Sequence, residues 1–276
     1  MCLRIAVVTG ANKGIGFATL RALCRQFNGD VLLTARNVDL GKKAVEELEK
    51  EGLHPKFHQL DLNNHSSVVT LRNFLQDNYG GLDILVNNAG IASKSYSAFP
   101  FSEEAKVITK TNFFDTLHVC QVLFPLLRPH ARVVNVSSSR ALLALKECSD
   151  TLKVRLTDSN ITMEELTSII KTFVDTAQKN HHQEAGFPSN AYWTSKLGVT
   201  VMSMIQQKEL DAKGSEDVVV NACCPGYVRT DMTNHQGDLS IDEGADTPVY
   251  CALLPPKIHQ PRGKFIMQKQ VVSWEA

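Results

Sequence analysis

The sequence predicts an α/β fold built on a doubly wound parallel sheet of about seven strands. Short apolar runs, of which residues 5–8 and 82–86 are examples, alternate along the chain with stretches of helical periodicity. A continuous apolar run is typical of a parallel strand that is buried on both of its faces. Strands and helices that alternate in this way predict right-handed β-α-β crossovers, which place the strands in one parallel sheet.

The first half of the chain follows this alternation closely. Leu40, Ala44 and Leu48 recur at helical spacing and Gly52 follows them, so we predict a helix that ends at the glycine. In chain order, the elements predicted for this half are strand 5–8, a helix whose pattern begins at Ile15, strand 31–34, helix 38–51, strand 57–60, helix 66–78 and strand 82–86.

The second half departs from the alternation at one place, a helical insertion at about 139–189 that precedes the helix of Tyr192. The other predicted elements of this half are a loop at 91–101, a long helical stretch at 102–127, strand 132–136, helix 190–212, strand 218–222, helix 242–253 and strand 264–267. The sequence has no internal repeats and no Pro- or Ser-rich linker, so residues 1–276 are predicted to form a single domain.

The insertion carries a helix start signal of its own. Thr162 and Glu165 have the spacing of a capping box, and Ile161 and Leu166 have that of a hydrophobic staple across it. The apolar residues that then fall on one face at helical spacing are Leu166, Ile169, Ile170, Phe173, Val174 and Ala177. We expect this face to be buried.

Composition limits the classes of function. The chain has 29 Lys and Arg residues against 29 Asp and Glu residues, which argues against nucleic acid or an anionic membrane surface as a partner. No apolar run approaches membrane-spanning length. The seven scattered cysteines lack a Cys-x2-Cys pair, and the first predicted strand begins close to Met1. We therefore expect reduced thiols and a cytoplasmic protein.

A glycine-rich turn follows the first strand. Gly10, Gly14 and Gly16 stand between the strand at 5–8 and the next helical pattern. In that context one glycine permits a tight turn, another admits the backbone close to a pyrophosphate, and the third lets helix pack on strand. The helix N-terminus would hold the phosphates. The stretch predicts dinucleotide binding by a Rossmann-type sheet, although the same glycines would suit an ordinary turn.

Polar or backbone-exposing residues also stand at the ends of the predicted strands, where ligands of a doubly wound sheet bind. These residues are Gly10, Arg36, Asp61, Asn88, Ser138 and Gly226. Because the carboxyl ends of parallel strands meet at one edge of the sheet, we expect these residues to surround one cleft.

Five motifs occur in order at these positions. They are Thr9-Gly10-x3-Gly14-x-Gly16, Asn87-Asn88-Ala89-Gly90, Ser138, Tyr192-x3-Lys196 and Pro225-Gly226. Together they resemble the short-chain dehydrogenase/reductase family over essentially the whole chain. Residues 110–114, 221–226 and 228–232 are similar to its monomeric, NADPH-dependent carbonyl reductase branch in particular.

The resemblance implies reduction of a small-molecule carbonyl, and the residue types suit that chemistry. Hydride goes to the carbon, and the developing alkoxide needs a proton. Tyr192 is the candidate acid, and Lys196, one helical turn away, would bring a positive charge that lowers the phenol pKa from its usual value of about 10. Ser138 could hold the carbonyl oxygen by its hydroxyl as charge develops.

Two of these assignments have alternatives. Ser137 and Ser139 are rivals for the role of Ser138, which the family pattern places on the second serine after the strand. Asn112 resembles the helix asparagine of the family, which holds a water that feeds protons through Lys196. The alternative for Asn112 is an exposed polar residue on a helix.

The resemblance also implies where a nicotinamide cofactor would be held. It puts Asn88 on the ribose and nicotinamide side, Asp61 at the adenine, and Val228 and Thr230 near the carboxamide. The full set of implied cofactor-binding residues is Gly10, Asn12, Lys13, Gly14, Ile15, Gly16, Arg36, Asp61, Leu62, Asn88, Ala89, Gly90, Tyr192, Lys196, Pro225, Gly226, Val228 and Thr230.

The residue about 20 positions after the glycines predicts NADPH as the cofactor. An enzyme that prefers NADH usually has Asp or Glu there, whereas this chain has Arg36 and no acid until Asp39. Arginine pairs phosphate oxygens bidentately, which suits a 2′-phosphate. Lys13, inside the glycine turn, adds a second positive charge.

The predicted substrate contacts are Ser138, Arg140, Tyr192 and Tyr227. Close relatives usually carry an apolar residue in place of Arg140 and often Trp in place of Tyr227. Arg140 would suit an anionic substrate, or else it points into water. Ser93 and Ser95 make the loop after Gly90 more polar than we expect for the family.

Metal chemistry is not predicted. His181 and His182 lie in a polar stretch with no third ligand at a suitable spacing, so we expect both to be solvated and no metal to be bound.

Two other classes of function remain open at this point. A non-catalytic NADPH-binding protein that reports redox state through a partner would be favoured by a broken Ser-Tyr-Lys set, and here the set is complete. A nucleotide-sugar epimerase also uses Tyr-x3-Lys, but it needs a larger C-terminal substrate domain than this chain has after Gly226.

The insertion predicts a monomer without an obligate protein partner. Tetrameric relatives associate through the outer faces of two long helices, which correspond here to about 102–127 and 190–212. The apolar helix of the insertion, tethered between them, would cover that surface. A lid over the substrate pocket or a different dimer contact is the alternative.

Overall fold

The computed structural model describes residues 3–92 and 100–275, and within them eight strands form one sheet. The strands are β1 (Ile5–Val8), β2 (Asp30–Ala35), β3 (Lys56–Gln59), β4 (Leu82–Asn87), β5 (Leu127–Val136), β6 (Val219–Cys224), β7 (Phe265–Met267) and β8 (Gln270–Val272). Their spatial order is β3-β2-β1-β4-β5-β6-β7-β8, and all neighbours are parallel apart from β7 and β8. The order reverses between β1 and β4. The doubly wound, Rossmann-type sheet is thereby confirmed.

The sequence does not predict the edge strand β8. It pairs antiparallel with β7 through a two-residue turn, in which Gln268 and Lys269 have φ angles of 48° and 63°. Turns of this kind usually carry Asn or Gly, which tolerate positive φ. The usual hairpin signal is therefore missing from the sequence.

Ten α-helices flank the sheet in the described part of the chain. They are α1 (Gly14–Gln26), α2 (Val38–Glu49), α3 (His65–Tyr79), α4 (Phe101–Thr109), α5 (Asp115–Leu123), α6 (Arg140–Glu147), α7 (Asp150–Thr157), α8 (Met163–Gln178), α9 (Ala191–Ala212) and α10 (Ile241–Ala252). Within residues 3–92 and 100–275, no helix combines the length and the apolarity that crossing a membrane requires.

Helices cover both faces of the sheet. Ala6 and Val8 of β1 belong to a buried cluster that includes Phe17 of α1. The alternate residues Ile5 and Val7 belong to a cluster on the other face, with α3, α5 and the end of α9. Because successive side chains of a strand point to opposite faces, a strand covered on both sides needs an uninterrupted apolar run.

The long helical stretch predicted at 102–127 is divided in the structure. A π-helical turn, Lys110–Phe114, separates α4 from α5, and a 3₁₀ turn, Phe124–Leu126, follows α5. Pro125 lies in that 3₁₀ turn and has no N–H to continue an α-helix. The sheet strand β5 then begins at Leu127, earlier than the predicted start at residue 132.

The insertion holds three helices, α6, α7 and α8, where the sequence predicts only one. The predicted start of α8 is present: Thr162 Oγ1 accepts a hydrogen bond from Glu165 N at 3.2 Å, and Ile161 and Leu166 are buried. The Glu165 carboxylate forms an ion pair with Arg155 of α7, which differs from the return bond of a full capping box.

The apolar face of α8 is buried against α4 and α9, as predicted. Leu166 and Ile170 pack in a cluster with Phe113 and Val201, while Phe173 and Ala177 pack with residues of α4. The insertion therefore covers the outer surface of these two helices.

Candidate active site

The glycine turn between β1 and α1 lies at the carboxyl edge of the sheet. Gly10 and Gly14 have φ angles of 63° and 60°, a conformation that side-chain-bearing residues rarely adopt. A Cβ at Gly16 would lie 2.5 Å from the carbonyl oxygen of Gly10, so only glycine fits there. Among the described residues, α1 has no side-chain N-cap and no acid in its first turn. Its first N–H groups are thus available to an anion.

Hydrogen bonds join the end of β4, the strand beside β1, to the glycine turn. Thr9 Oγ1 accepts from the backbone N–H groups of Asn88 and Ala89, both at 3.0 Å. The side-chain amide nitrogen of Asn88 donates to the carbonyl oxygens of Thr9 at 3.0 Å and Gly10 at 3.1 Å. Asn88 therefore shapes the cleft floor, and its amide oxygen is the atom left for a ligand.

Ser138, Tyr192 and Lys196 lie together at the end of β5. The Ser138 hydroxyl contacts the phenol of Tyr192, and the Lys196 ammonium lies 5.7 Å from the centre of the Tyr192 ring. Burial raises the pKa of Tyr192 to about 12, which outweighs the lowering effects of Ser138 and of the positive charge on Arg140. The expectation that Lys196 lowers this pKa below its usual value is therefore wrong in this structure, because burial dominates. Tyr192 therefore holds its proton at neutral pH.

Lys196 is buried and its charge is disfavoured there. Its ammonium donates to the carbonyl oxygen of Val136 at 2.8 Å. Burial lowers the pKa of Lys196 to about 8, against an opposing effect of Cys223 and Cys224. The ammonium is still mostly protonated at pH 7, beside a phenol that is fully protonated.

The structure separates the three serines after β5. The Ser137 hydroxyl is buried and donates to the carbonyl oxygen of Lys196 at 2.9 Å, which ties β5 to α9. Ser139 precedes α6, and its backbone N–H donates to the sulfur of Cys224 at 3.1 Å. Of the three, Ser138 is the one whose hydroxyl contacts Tyr192.

Asn112 lies in the π-helical turn and is 2% exposed, so the exposed-residue alternative is wrong. Its Oδ1 accepts from Ile91 N at 2.8 Å, and its Nδ2 donates to Ile91 O at 2.8 Å and to Ser195 Oγ at 3.0 Å. A Cβ on Gly90 would lie 3.1 Å from Asn112 Oδ1 and 3.5 Å from Lys196 Nζ. Asn112, Gly90 and Lys196 therefore converge. Such π-turns are frequent at functional sites.

The residues predicted for the adenosine half lie at the ends of β2 and β3. Arg36 is exposed, and its backbone carbonyl accepts from the Gln59 side chain at 3.1 Å. Asp61 accepts from the backbone N–H of Asn63 at 3.1 Å, and Leu62 is buried. Lys13 is exposed and pairs with Asp231 at 2.5 Å, a partner that the sequence does not predict.

The segment after β6 crosses to the glycine turn. Gly226 has a φ of 89°, Val228 is buried and pairs with Leu239, and Thr230 caps the short turn Asp231–Thr233. A Cβ on Gly14 would lie 3.4 Å from the methyl group of Thr230. The remaining residues predicted in these two segments, Asn12, Ile15 and Pro225, stand beside these contacts in the chain.

Two further sequence predictions have different outcomes. His181 is exposed as expected. The prediction for His182 is wrong: it is 8% exposed, its Nε2 bonds with Ser189 Oγ at 2.9 Å, and its ring lies 4.6 Å from that of Phe101. The folded insertion buries it. Ser93 and Ser95 lie outside the described residues.

Several residues of the site are not predicted as such from the sequence. Thr9 and Ser195 hold Asn88 and Asn112, and Asp231 binds Lys13. The sulfur of Cys224 accepts from the N–H groups of Ser139 and Gly226. Thr9 and Asp231 stand inside motifs that the sequence reveals, whereas Ser195 carries no sequence signal of its own.

Comparison with known proteins identifies the family. The family model described as short chain dehydrogenase matches residues 4–149 and 171–239, and the gap between the two falls in the insertion. Carbonyl reductase (NADPH) 3 of Rattus norvegicus is 50% identical over 274 residues, 99% of each chain. Carbonyl reductase (NADPH) 1 of Homo sapiens is 50% identical over 273 residues, also 99% of each chain.

A solved structure agrees with the fold. Salutaridine reductase from Papaver somniferum is similar with a TM-score of 0.84 and 31% identity, over 95% of this chain and 99% of that chain. The match of the family model, the full-length relatives and the order of the five motifs agree. The chain therefore belongs to the short-chain dehydrogenase family.

Proposed function

We propose that this protein reduces carbonyl compounds (ketones, aldehydes and quinones) to alcohols with NADPH. The observation that carries the proposal is the contact of Ser138 with the Tyr192 phenol, with the buried Lys196 ammonium 5.7 Å from the same ring. Relatives named carbonyl reductase (NADPH), which align over 99% of the chain, support it. The complete set of Ser, Tyr and Lys leaves a non-catalytic NADPH-binding protein without a favouring observation.

The chain's own residues fit a nicotinamide dinucleotide. The uncapped N-terminus of α1 and the glycines at positive φ suit a pyrophosphate. The exposed guanidinium of Arg36 and the ammonium of Lys13 suit the 2′-phosphate that distinguishes NADPH. When bound, NADPH supplies the hydride.

The proposed roles follow from the protonation states. Tyr192 holds the proton that the alkoxide needs and donates it as general acid. Ser138 holds the carbonyl oxygen beside the phenol. Lys196 places a positive charge near the phenol. Asn112 and Lys196 both lie beside Gly90, and Asn112 positions a water that returns protons to Lys196.

The predicted organisation completes the proposal. Residues 1–276 form one domain, and the protein is a cytoplasmic monomer that needs no obligate protein partner. The support for a monomer is that α8 covers the outer faces of α4 and α9.

The test is the variant Tyr192→Phe, with Tyr250→Phe on the opposite face of the sheet as the matched control. Tyr192→Phe removes only the hydroxyl, so turnover with NADPH should fall by a factor on the order of 10² to 10⁴, while the affinity for NADPH, measured by quenching of tryptophan fluorescence, stays near the wild-type value. Tyr250→Phe should turn over like the wild type. Near-normal turnover in Tyr192→Phe would show that another group is the acid.

A further inference from the structure

Arg140 is the exposed cation next to the reacting groups. It is the first residue of α6, two positions after Ser138, and its backbone N–H donates to Ser138 Oγ at 3.2 Å. The helix that it opens packs along α9, which carries Tyr192. The start of α6 therefore brings this side chain to the rim of the cleft.

The Arg140 guanidinium has a fixed support. Its central carbon lies 5.6 Å from the ring centre of Trp193, the residue after Tyr192, within the range of about 6 Å in which a cation is attracted to an aromatic face. The positive charge also acts on the phenol, since it lowers the pKa of Tyr192. The aromatic face thus holds the guanidinium beside the site and limits its motion.

Within residues 3–92 and 100–275, no carboxylate lies in ion-pair distance of Arg140. The planar fork of Arg140, which is suited to bidentate binding of a carboxylate, is therefore available at the cleft.

Exposed apolar side chains stand in two segments that adjoin the reacting groups, the one after β4 and the one after β6. Ile91, Tyr227 and Met232 are large hydrophobic residues that are 37%, 48% and 46% exposed. The backbone of Ile91 is hydrogen-bonded to Asn112. Tyr227 follows Gly226, and the backbone N–H groups of Gly226 and Ser139, the residue before Arg140, both donate to the sulfur of Cys224. A cation beside exposed apolar side chains fits a ligand that has an apolar body and one anionic group.

We propose that Arg140 binds a carboxylate on the substrate, so that the enzyme prefers carbonyl compounds that carry a carboxylate to their neutral esters. This inference rests on the proposed carbonyl reduction. It names Arg140 as the residue that determines specificity, whereas Ser138 and Tyr192 act on the carbonyl of any substrate.

The test compares kcat/KM for 4-carboxybenzaldehyde and for its methyl ester, with NADPH. The ratio of the kcat/KM values, acid to ester, should fall about tenfold in Arg140→Gln, as expected when one hydrogen-bonded contact to a charged group is lost. The ratio should fall further in Arg140→Glu. It should fall less in Arg140→Lys, which keeps the positive charge but lacks the planar guanidinium that binds a carboxylate with two hydrogen bonds. Lys146→Gln, an exposed cation at the other end of α6, is the matched control and should keep the wild-type ratio.

The ratio separates recognition from a general effect on Tyr192. If Arg140 acted only through the pKa of the phenol, both substrates would lose activity alike, the ratio would stay constant, and the proposal would be overturned. Added salt should also reduce the preference of the wild type for the acid over the ester, because ions screen the exposed pair of Arg140 and the substrate carboxylate.

A binding measurement makes the inference independent of turnover. Benzoate and benzamide are titrated against the NADPH complex by tryptophan fluorescence, since Trp193 lies under Arg140. We expect benzoate to bind the wild type about tenfold more tightly than Arg140→Gln does, with benzamide unaffected. Equal binding of benzoate to both proteins would refute the role of Arg140. Failure of the wild type to reduce either aldehyde would instead refute the proposed function.

Discussion

Burial of Lys196 should make the free energy of unfolding rise with pH above pH 8, and the substitution Lys196→Met should remove this rise. The residue is 6% exposed, and burial lowers its pKa from 10.5 to about 8. Below about pH 8 the ammonium is protonated in both the folded and the unfolded chain, and the folded state bears the cost of the buried charge. A pKa displaced this far corresponds to about 3 kcal/mol in favour of unfolding.

The sign follows from proton binding. Between pH 8 and 10.5 the folded protein has released a proton that the unfolded chain still binds, so the free energy of unfolding rises with pH through this window. From pH 7 to pH 9.5 the rise from this group is about 2 kcal/mol. Lys196→Met removes the titrating group at similar side-chain length and should lack the rise.

At pH 7 a second effect acts in the opposite direction. Lys196→Met leaves the Val136 carbonyl without its 2.8 Å hydrogen bond, at a cost of about 1–3 kcal/mol. This offsets the relief of a buried charge, so the variant should be as stable as the wild type at pH 7 or slightly more stable. At pH 9.5 the wild type should have gained about 2 kcal/mol relative to the variant.

Urea unfolding without cofactor, at pH 7 and pH 9.5, measures this difference. Lys213→Met is the control, since it makes the same change at an exposed position at the end of α9. The free energy of unfolding of Lys213→Met should differ from that of the wild type by the same amount at both pH values. Two results would refute the assignment of a buried lysine whose charge is disfavoured. One is that the free energies of unfolding of Lys196→Met and the wild type differ by the same amount at both pH values. The other is that the variant becomes more stable relative to the wild type at pH 9.5.

Cofactor choice, the bonds of Asn112 and the covered helix face give three more expected outcomes. Arg36→Ala should lower kcat/KM with NADPH about tenfold while leaving kcat/KM with NADH nearly unchanged, because only NADPH carries the 2′-phosphate; equal losses in steady-state assays would contradict this role. Asn112→Ala loses its bonds to Ile91 and Ser195 and should lower kcat more than KM, by about tenfold or more; an unchanged kcat would remove Asn112 from the site. Sedimentation at micromolar concentration should show one species at the chain mass of 30.5 kDa, and a species of twice that mass would contradict a monomer.

The covered helix face bears on the proposed monomer. The face of α8 that contains Ile170 and Phe173 is fully buried against α4 and α9 within one chain. Surface buried in this way is not available to a second copy. This burial is the observation on which the proposed monomer rests.

The sequence by itself determined the sheet, the glycine turn and the candidate catalytic residues. Apolar runs such as Ile5–Val8 predict buried parallel strands because both faces of such a strand must be apolar. Gly10 and Gly14 predict a turn that needs positive φ, a property of the residue type alone. Thr162 and Glu165 likewise predict the start of α8 from local bonding. These signals are short-range, so they are legible without a structure.

Only the tertiary structure decided what surrounds each of these groups and how strongly their protons are held. Ser137, Ser138 and Ser139 are identical in type, and the packing of β5 on α9 leaves Ser138 on the phenol. The pKa values of Tyr192 and Lys196 depend on burial by residues far apart in sequence. The partner of Lys13 is 218 residues away, and the burial of His182 depends on the folded insertion. Each of these properties arises from long-range contacts, which a local sequence pattern does not encode.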